Sequence, residues 1–368
     1  MAPDVRQRWG FRARVSSWHR SGSTARCAGL GLVAAALLMV SGTAAASPAG
    51  AQLSEPAEQC RVQDERLDEL SGLASDGRSW YAVNDGGRSL RVHVLDPVDC
   101  SVRDVRTASN DPFDVEDLAL GRDGSLWLAD IGDNRRRRDT IALHVMPPGG
   151  GVALYRLSYP DGAHDAEALL LDRAGVPFIV TKEPLGTAGV YRPAQPLDTE
   201  RTVPLERVGS VSLRATDTPG GPLSRAFSTT LVTGGSVNHD GTAVAIRTYT
   251  DVYLFSAPDG DVAAALGREP LRLALPNERQ GEAIAWEPDG SLLSASEGSE
   301  PVRRIPGVAE LLTGTATAPP DGDAPDPQPV GRAEPTSGGS TTTGQSLLVA
   351  AVLAGVIVFL AGRLRRNR

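Results

Sequence analysis

The chain has almost no lysine: Lys182 is the only one among 37 basic residues, and the others are all arginine. With 40 Gly and 27 Pro in 368 residues, that usage fits a GC-rich coding sequence. Net positive charge is also missing. Removing residues 1–46, with six Arg and one Asp, takes the formal charge from −8 to −13, and setting aside the four Arg of residues 363–368 leaves −17. That balance excludes a nucleic-acid partner and favours cations or basic partners. No Gly-x-Ser-x-Gly nucleophile elbow occurs, and His93, His144, His164 and His239 lie scattered without metal-ligand spacing, so no catalytic residue is assigned. Cysteines number three, of which Cys27 belongs to the N-terminal leader. Cys60 and Cys100 remain, an even pair in an oxidising compartment, and a disulfide between them is expected. Closing a loop of 40 residues is worth roughly 4 kcal/mol in the chain-entropy model.

Long hydrophobic runs occur only at the two ends. Arg6, Arg8, Arg12, Arg14, Arg20 and Arg26 precede a short apolar run, Leu30 to Val40, and then Ala44-Ala45-Ala46. Residues 1–46 therefore read as a secretory signal peptide, with cleavage as late as Ala51. Near the other end Ser346 to Gly362 carries no charge, and a helix of that length covers roughly 25 Å. Residues 345–362 are expected to cross a membrane once, with Arg363 snorkelling and the basic tail 363–368 in the cytoplasm. Residues 307–344, dense in Pro, Gly and Thr, read as a disordered stalk. The expected protein is thus a single-pass cell-membrane protein with its ectodomain outside.

Within residues 59–306 no helical periodicity stands out, and a repeat does. The segments "ELSGLASDG" from Glu69, "EDLALGRDG" from Glu116, "EALLLDRAG" from Glu167, "TGGSVNHDG" from Thr233 and "EAIAWEPDG" from Glu282 all end in Gly. Ser71, Glu116, Glu167, Thr233 and Glu282 align, at spacings of 45, 51, 66 and 49 residues. A second short apolar strand follows each turn, as in "WYAVND" and "LWLADIGDN". About four strands per ~50-residue unit predict an all-β fold, a β-propeller of four-stranded blades. Five blades account for the chain, with "CRVQDERL" supplying the outer strand of the last; a sixth, degenerate blade inside Thr187–Leu231 is the alternative.

In such a blade the second strand ends on the face where the first begins. Glu116, Glu167 and Glu282 are therefore expected at the channel mouth, where converging carboxylates point to a hard cation such as Ca²⁺. Asn84, Asp85, Asp130, Asp133, Asn134, Lys182, Glu183, Arg247, Tyr249 and Glu297 ring the same face as candidate ligand-binding residues. Lys182 and Arg247 are expected to neutralise the carboxylates or to orient an anionic substrate. Residues at such strand ends also serve simply as turn formers or as bonds between blades. The tetra-arginine run 135–138 is open to two readings, a phosphate clamp or a solvated loop.

The stretches "ELSGLA…WYAVND", "DVEDLA", "DGSLWLADIGDN" and "GEAIAWEPDGSLLSASEG" resemble bacterial extracytoplasmic propellers, the phytase-like (esterase-like) propeller domain in particular. The resemblance covers most of Glu69 to Gly298 and implies calcium with phosphoester or ester hydrolysis. A binding or scaffolding module at the cell surface, recognising a surface protein or a small anionic ligand, is the reading preferred over that hydrolase.

Overall fold

The computed structural model describes residues 55–314. The segments expected to form a signal peptide, a membrane span, a cytoplasmic tail and, over 315–344, a stalk lie outside the described residues. Among the described residues no helix is long and apolar enough to cross a membrane.

Four of the five blades are uninterrupted antiparallel meanders, and their inner strands are Leu70–Ser75, Val115–Leu120, Ala166–Leu171 and Val232–Val237. The fifth has inner strand Gly281–Trp286 and takes its outermost strand, Ala57–Arg61, from the start of the described chain. Each inner strand packs beside the next, and Gly281–Trp286 returns to Leu70–Ser75, so the ring closes at five. The region proposed as a sixth blade instead holds the outer strands of the third, Thr187–Pro193 and Val203–Ser212, followed by a loop with one helical turn, Arg225–Ser228. The outer strands of the second and third blades also pair in parallel, Val203 with Leu157 and Pro204 with Ser158, which joins them into one eight-stranded sheet.

The hydrophobic core consists of the seams between blades. Tyr81, Val83 and Val92 of the first blade meet Leu118, Leu126 and Leu128 of the second, and each other seam is filled in the same way. Alternate residues along each strand face opposite seams, so both sheet faces are buried and the strands read as near-continuous apolar runs. The hairpins from inner to second strand turn at Gly77, Gly124, Gly175, Gly241 and Gly290, with φ between +68° and +81°. Only glycine adopts that conformation without strain, which is why Gly closes every repeat.

Cys60, on the strand that completes the fifth blade, is bonded to Cys100 of the first, with a Cα–Cα distance of 5.7 Å. The covalent link thus crosses the seam where the ring closes. The folded part also runs further than the boundary expected at Pro306. Val308–Gly314 is a short helix whose Val308 and Leu312, one turn apart, are buried in the seam between the fourth and fifth blades.

Candidate functional site

The inner strand of every blade slips by one residue against its neighbour. The register shifts fall between Leu70 and Gly72, Val115 and Asp117, Ala166 and Ala168, Val232 and Gly234, and Gly281 and Ala283. The extra residues are Ser71, Glu116, Glu167, Thr233 and Glu282, the aligned positions of the repeat. A β-bulge leaves its extra residue outside the ladder and re-aims the side chain. Two of these side chains are neutral and engaged: Thr233 Oγ1 donates to Gly281 O at 2.9 Å, and Ser71 Oγ to Glu69 O at 3.5 Å. The other three are glutamates, each 3–4 % exposed.

A second set lies two residues earlier, at Glu69, Asp114, Asp165 and Gln280. Their carbonyls accept the backbone N–H groups that follow the second strands: Asp85 onto Glu69 at 2.8 Å, Gly132 onto Asp114 at 3.2 Å, Lys182 onto Asp165 at 2.8 Å and Glu297 onto Gln280 at 3.0 Å. These bonds fix Asp85, Lys182 and Glu297 against the bulge residues. The chain's single lysine sits among the acids. Lys182 Nζ donates to Glu167 Oε1 at 2.6 Å and lies 5.2 Å from the centre of the Tyr249 ring.

One ammonium does not balance this many carboxyls. Burial raises Glu116 well above the ordinary range, and the Glu167 and Asp114 charges raise it further. Burial also lifts Glu282 far up, against the pull of Lys182, and carries Glu167 to about 7 although Lys182 is bonded to it. Glu297 is pushed to about 7 by burial and by Glu69, Asp114 to about 6 by burial, and Asp165 upward by burial. Burial pulls Lys182 down, but Glu167, Tyr249, Glu282 and Asp165 more than reverse this, so it stays charged. Burial raises the Tyr249 hydroxyl strongly. Glu116 Oε1 and Glu282 Oε2 are buried with no hydrogen-bond partner.

The expected cation cage of Glu116, Glu167 and Glu282 is regrouped. Glu167 is tied to Lys182, Glu116 and Glu282 both lie within the field of that pair, and Glu116 also turns toward Asp85 and Asp114. Among the described residues the oxygens of Asp85, Asp114 and Glu116 approach within 4.8 Å of one another. A hard cation with oxygen ligands fits that set, because Glu116 Oε1 is otherwise without a partner. The hollow is kept open by Gly132: a Cβ there would lie 2.2 Å from Glu116 Oε1 and 2.5 Å from Asp114 Oδ2.

Arg247 does not belong to the cluster. Fully buried between the fourth and fifth blades, it pairs with Glu278 at 2.5 Å and donates to Ala283 O at 2.8 Å and Ser294 Oγ at 2.7 Å. Asp130 acts as a positioning residue, accepting from the backbone N–H of Phe113 at 3.1 Å and of Asp114 at 3.0 Å. Burial would raise Asp130, yet His144, Arg138 and those amides hold it below the usual range. Asp133 Oδ2 caps the arginine loop through Arg137 N at 2.6 Å and Arg138 N at 2.7 Å. Asn84 Oδ1 accepts from Glu69 N at 2.9 Å, and Glu183 pairs with Arg136 at 2.7 Å. Of the tetra-arginine run, then, Arg136 and Arg138 are bound within the fold. Arg135 and Asn134 instead line a cleft of about 630 Å³ between the first two blades, with Arg66, Arg88, Asp85 and Asp114.

Asp114, Asp165 and Gln280 were missed by the sequence reading, as was Asp117, which lies deeper in the channel. Asp117 accepts from Leu118 N at 2.8 Å, Leu169 N at 2.8 Å and Gly235 N at 3.2 Å, thereby tying three blades together below the glutamates. The first three were detectable as the position two before each aligned residue.

No family model and no curated protein matches the chain. Solved structures with similarity to it include a luciferin-regenerating enzyme, at 12 % identity over 65 % of this chain and 77 % of that one, TM-score 0.39. A streptogramin B lyase is 10 % identical over 68 % and 96 %, TM-score 0.37. A gluconolactonase from Xanthomonas campestris is 13 % identical over 69 % and 97 %, TM-score 0.35.

Proposed function

We propose that the protein is a membrane-anchored extracytoplasmic propeller whose channel mouth is a cation-dependent recognition site. Asp85, Asp114 and Glu116 would hold Ca²⁺, and the adjoining cleft with its arginines would receive a small anionic ligand or an acidic group of a surface protein. The observation that carries this reading is the placement of the one lysine. In a chain that uses arginine everywhere else, a compact ammonium stands among under-neutralised buried carboxyls, an arrangement that turn formation does not require. Exposed Phe113 and Leu185, at 65 % and 92 %, add apolar contact on the same face.

Calcium binding would stabilise the fold by mass action, about 2.7 kcal/mol at a hundredfold excess over its dissociation constant. Chelator should therefore lower the melting temperature of the wild-type protein and leave Asp114→Asn and Glu116→Gln variants unaffected. An unchanged wild-type melting temperature would remove the cation from the proposal.

A second reading, a calcium-dependent phosphoester or ester hydrolase, is favoured by Asp114 at about 6 and by Glu167 and Glu297 at about 7, close to the range general acid–base groups need. Turnover of p-nitrophenyl phosphate or acetate that requires Ca²⁺ and is lost in Glu116→Gln would select it over recognition alone.

A further inference from the structure

One wall of the cleft between the first two blades is the loop Gly86–Ser89, which joins the strands Trp80–Asn84 and Leu90–Leu95. Gly86 and Gly87 have φ of +72° and +106°, which glycine adopts without strain. A Cβ at Gly86 would meet nothing within 4 Å, and one at Gly87 only Ser89 O at 3.9 Å, so the space beside this backbone is open. Among the described residues no acceptor meets the N–H of Gly86, Gly87, Arg88 or Ser89. Four consecutive amides are thus left to solvent or a ligand, and successive backbone N–H groups of this kind favour an anion.

The side chains around the loop carry the same sign. Arg88, Arg91 and Arg135 line the cleft, all three are exposed, and none forms an ion pair among the described residues. The remaining arginine of the wall, Arg66, is held by Asp64 at 2.5 Å. The acids of the wall are Glu69, Asp85 and Asp114, and their presence makes a doubly charged ion more costly to bring in than a singly charged one. A carboxylate carries one charge, and its plane matches the guanidinium fork. Phe113, 65 % exposed, has the Arg138 guanidinium 4.6 Å from its ring centre and leaves apolar surface to an adjoining group.

We propose that this cleft captures the C-terminal carboxylate of a peptide or partner protein. The proposal rests on the recognition reading above and names the acidic group that reading requires. The terminal carboxylate accepts from the Gly86–Ser89 amides and pairs with Arg88 or Arg135, while the last side chain lies against Phe113. Capture of a chain end by free backbone amides is a recurring mode of peptide recognition, and the two glycines leave room for another main chain to approach.

The probe is N-acetyl-dialanyl-leucine, titrated calorimetrically into the full-length protein with Ca²⁺ present, beside its C-terminal carboxamide and beside inorganic phosphate. Saturable one-to-one binding of the free acid is expected, with the carboxamide about tenfold weaker or worse, the usual scale of one charge-assisted hydrogen bond. The backbone N–H resonances of Gly86 and Gly87 should shift with the acid and not with the carboxamide. Arg88→Gln combined with Arg135→Gln, at exposed positions that do not threaten folding, should weaken the acid to the level of the carboxamide. Absence of saturable binding, equal affinity for acid and carboxamide, or wild-type affinity in the double variant would each overturn the proposal. So would phosphate binding as tightly as the peptide, which would mark a site for a free oxyanion. The two readings fail separately: acid-selective binding by a protein whose melting temperature ignores chelator would remove the cation alone, whereas a chelator response without acid selectivity would remove the chain-end ligand alone.

Discussion

Arg247 and Lys182 both stand beside buried carboxylates in this propeller, and their surroundings differ in a way that separates frame from site. Around Arg247 everything is satisfied: Glu278 accepts from its guanidinium and also from Ser294 at 2.7 Å, Ser296 at 3.2 Å and Arg303 at 3.4 Å. Around Lys182 the acids outnumber the cation, two glutamate oxygens have no partner, and three carboxyls are pushed to about 6 or 7. A fully paired network fixes geometry, whereas a half-paired one costs stability and persists where something else completes it. The seam between the fourth and fifth blades is the first kind and the channel mouth the second.

The strongest way to break this comparison is to remove each cation. Arg247→Met leaves Glu278 charged and buried among its remaining partners, and should cost about 3–5 kcal/mol in urea unfolding, as breaking a buried pair generally does. Lys182→Met should cost clearly less, because the carboxyls it faces can take up protons instead. Equal losses for the two would erase the distinction between frame and site.

Ring closure offers a sharper control. Cys60→Ser with Cys100→Ser should lower stability by roughly 2–4 kcal/mol, since the bridge restricts a long loop in the unfolded chain. The response to chelator should survive, because the bridge lies on the closing seam and touches no acid of the mouth. Loss of the calcium response along with the bridge would show that the mouth depends on closure of the ring.

Much of this was legible in the repeat. Glycine at each hairpin and an aligned residue near the start of each inner strand predict the blades, and that residue proved to be the bulge. Arg247 was misplaced because strand ends were read as clusters and not by their pairing with the inner strand. Asp85, Lys182, Tyr249 and Glu297 each follow the residue paired with the first of the inner strand, whereas Arg247 is equivalent to Val83, Val180 and Ala295, which are core positions. Side chains alternate along a strand, so a shift of two residues keeps the face but moves the group from the mouth into the seam. The regrouping of Glu116 with Asp85 and Asp114 was not legible, since which carboxyls converge depends on how each bulge turns its side chain. The helix at Val308–Gly314 escaped because two apolar residues one turn apart are too short a pattern to stand out in a Gly/Pro-rich context.

The smallest expected effect is also the most specific to the mouth, because it depends on the sign of a slope. Free carboxyls titrate near 4, whereas Glu167 and Glu297 stand at about 7 and Asp114 at about 6 in the fold. Between those values the folded state holds protons that the unfolded state has released. With chelator present, stability should therefore be full near pH 4.5 and decline as the pH rises toward 7, by up to about 1.4 kcal/mol per pH unit for each group concerned. Paired surface carboxylates act in the opposite direction and reduce the net slope. Saturating Ca²⁺ favours the ionised acids, so its stabilising increment should grow as the pH rises through the same window and vanish on acidification. Lys182→Met removes the charge that draws Glu167 and Glu282 down, and should steepen the decline seen with chelator. Melting temperatures at half-unit steps from pH 4.5 to 8, with chelator and with calcium, read both curves. A calcium increment independent of pH would place the ion away from the protonated carboxyls, and with it would go the assignment of Asp114 and Glu116 as its ligands.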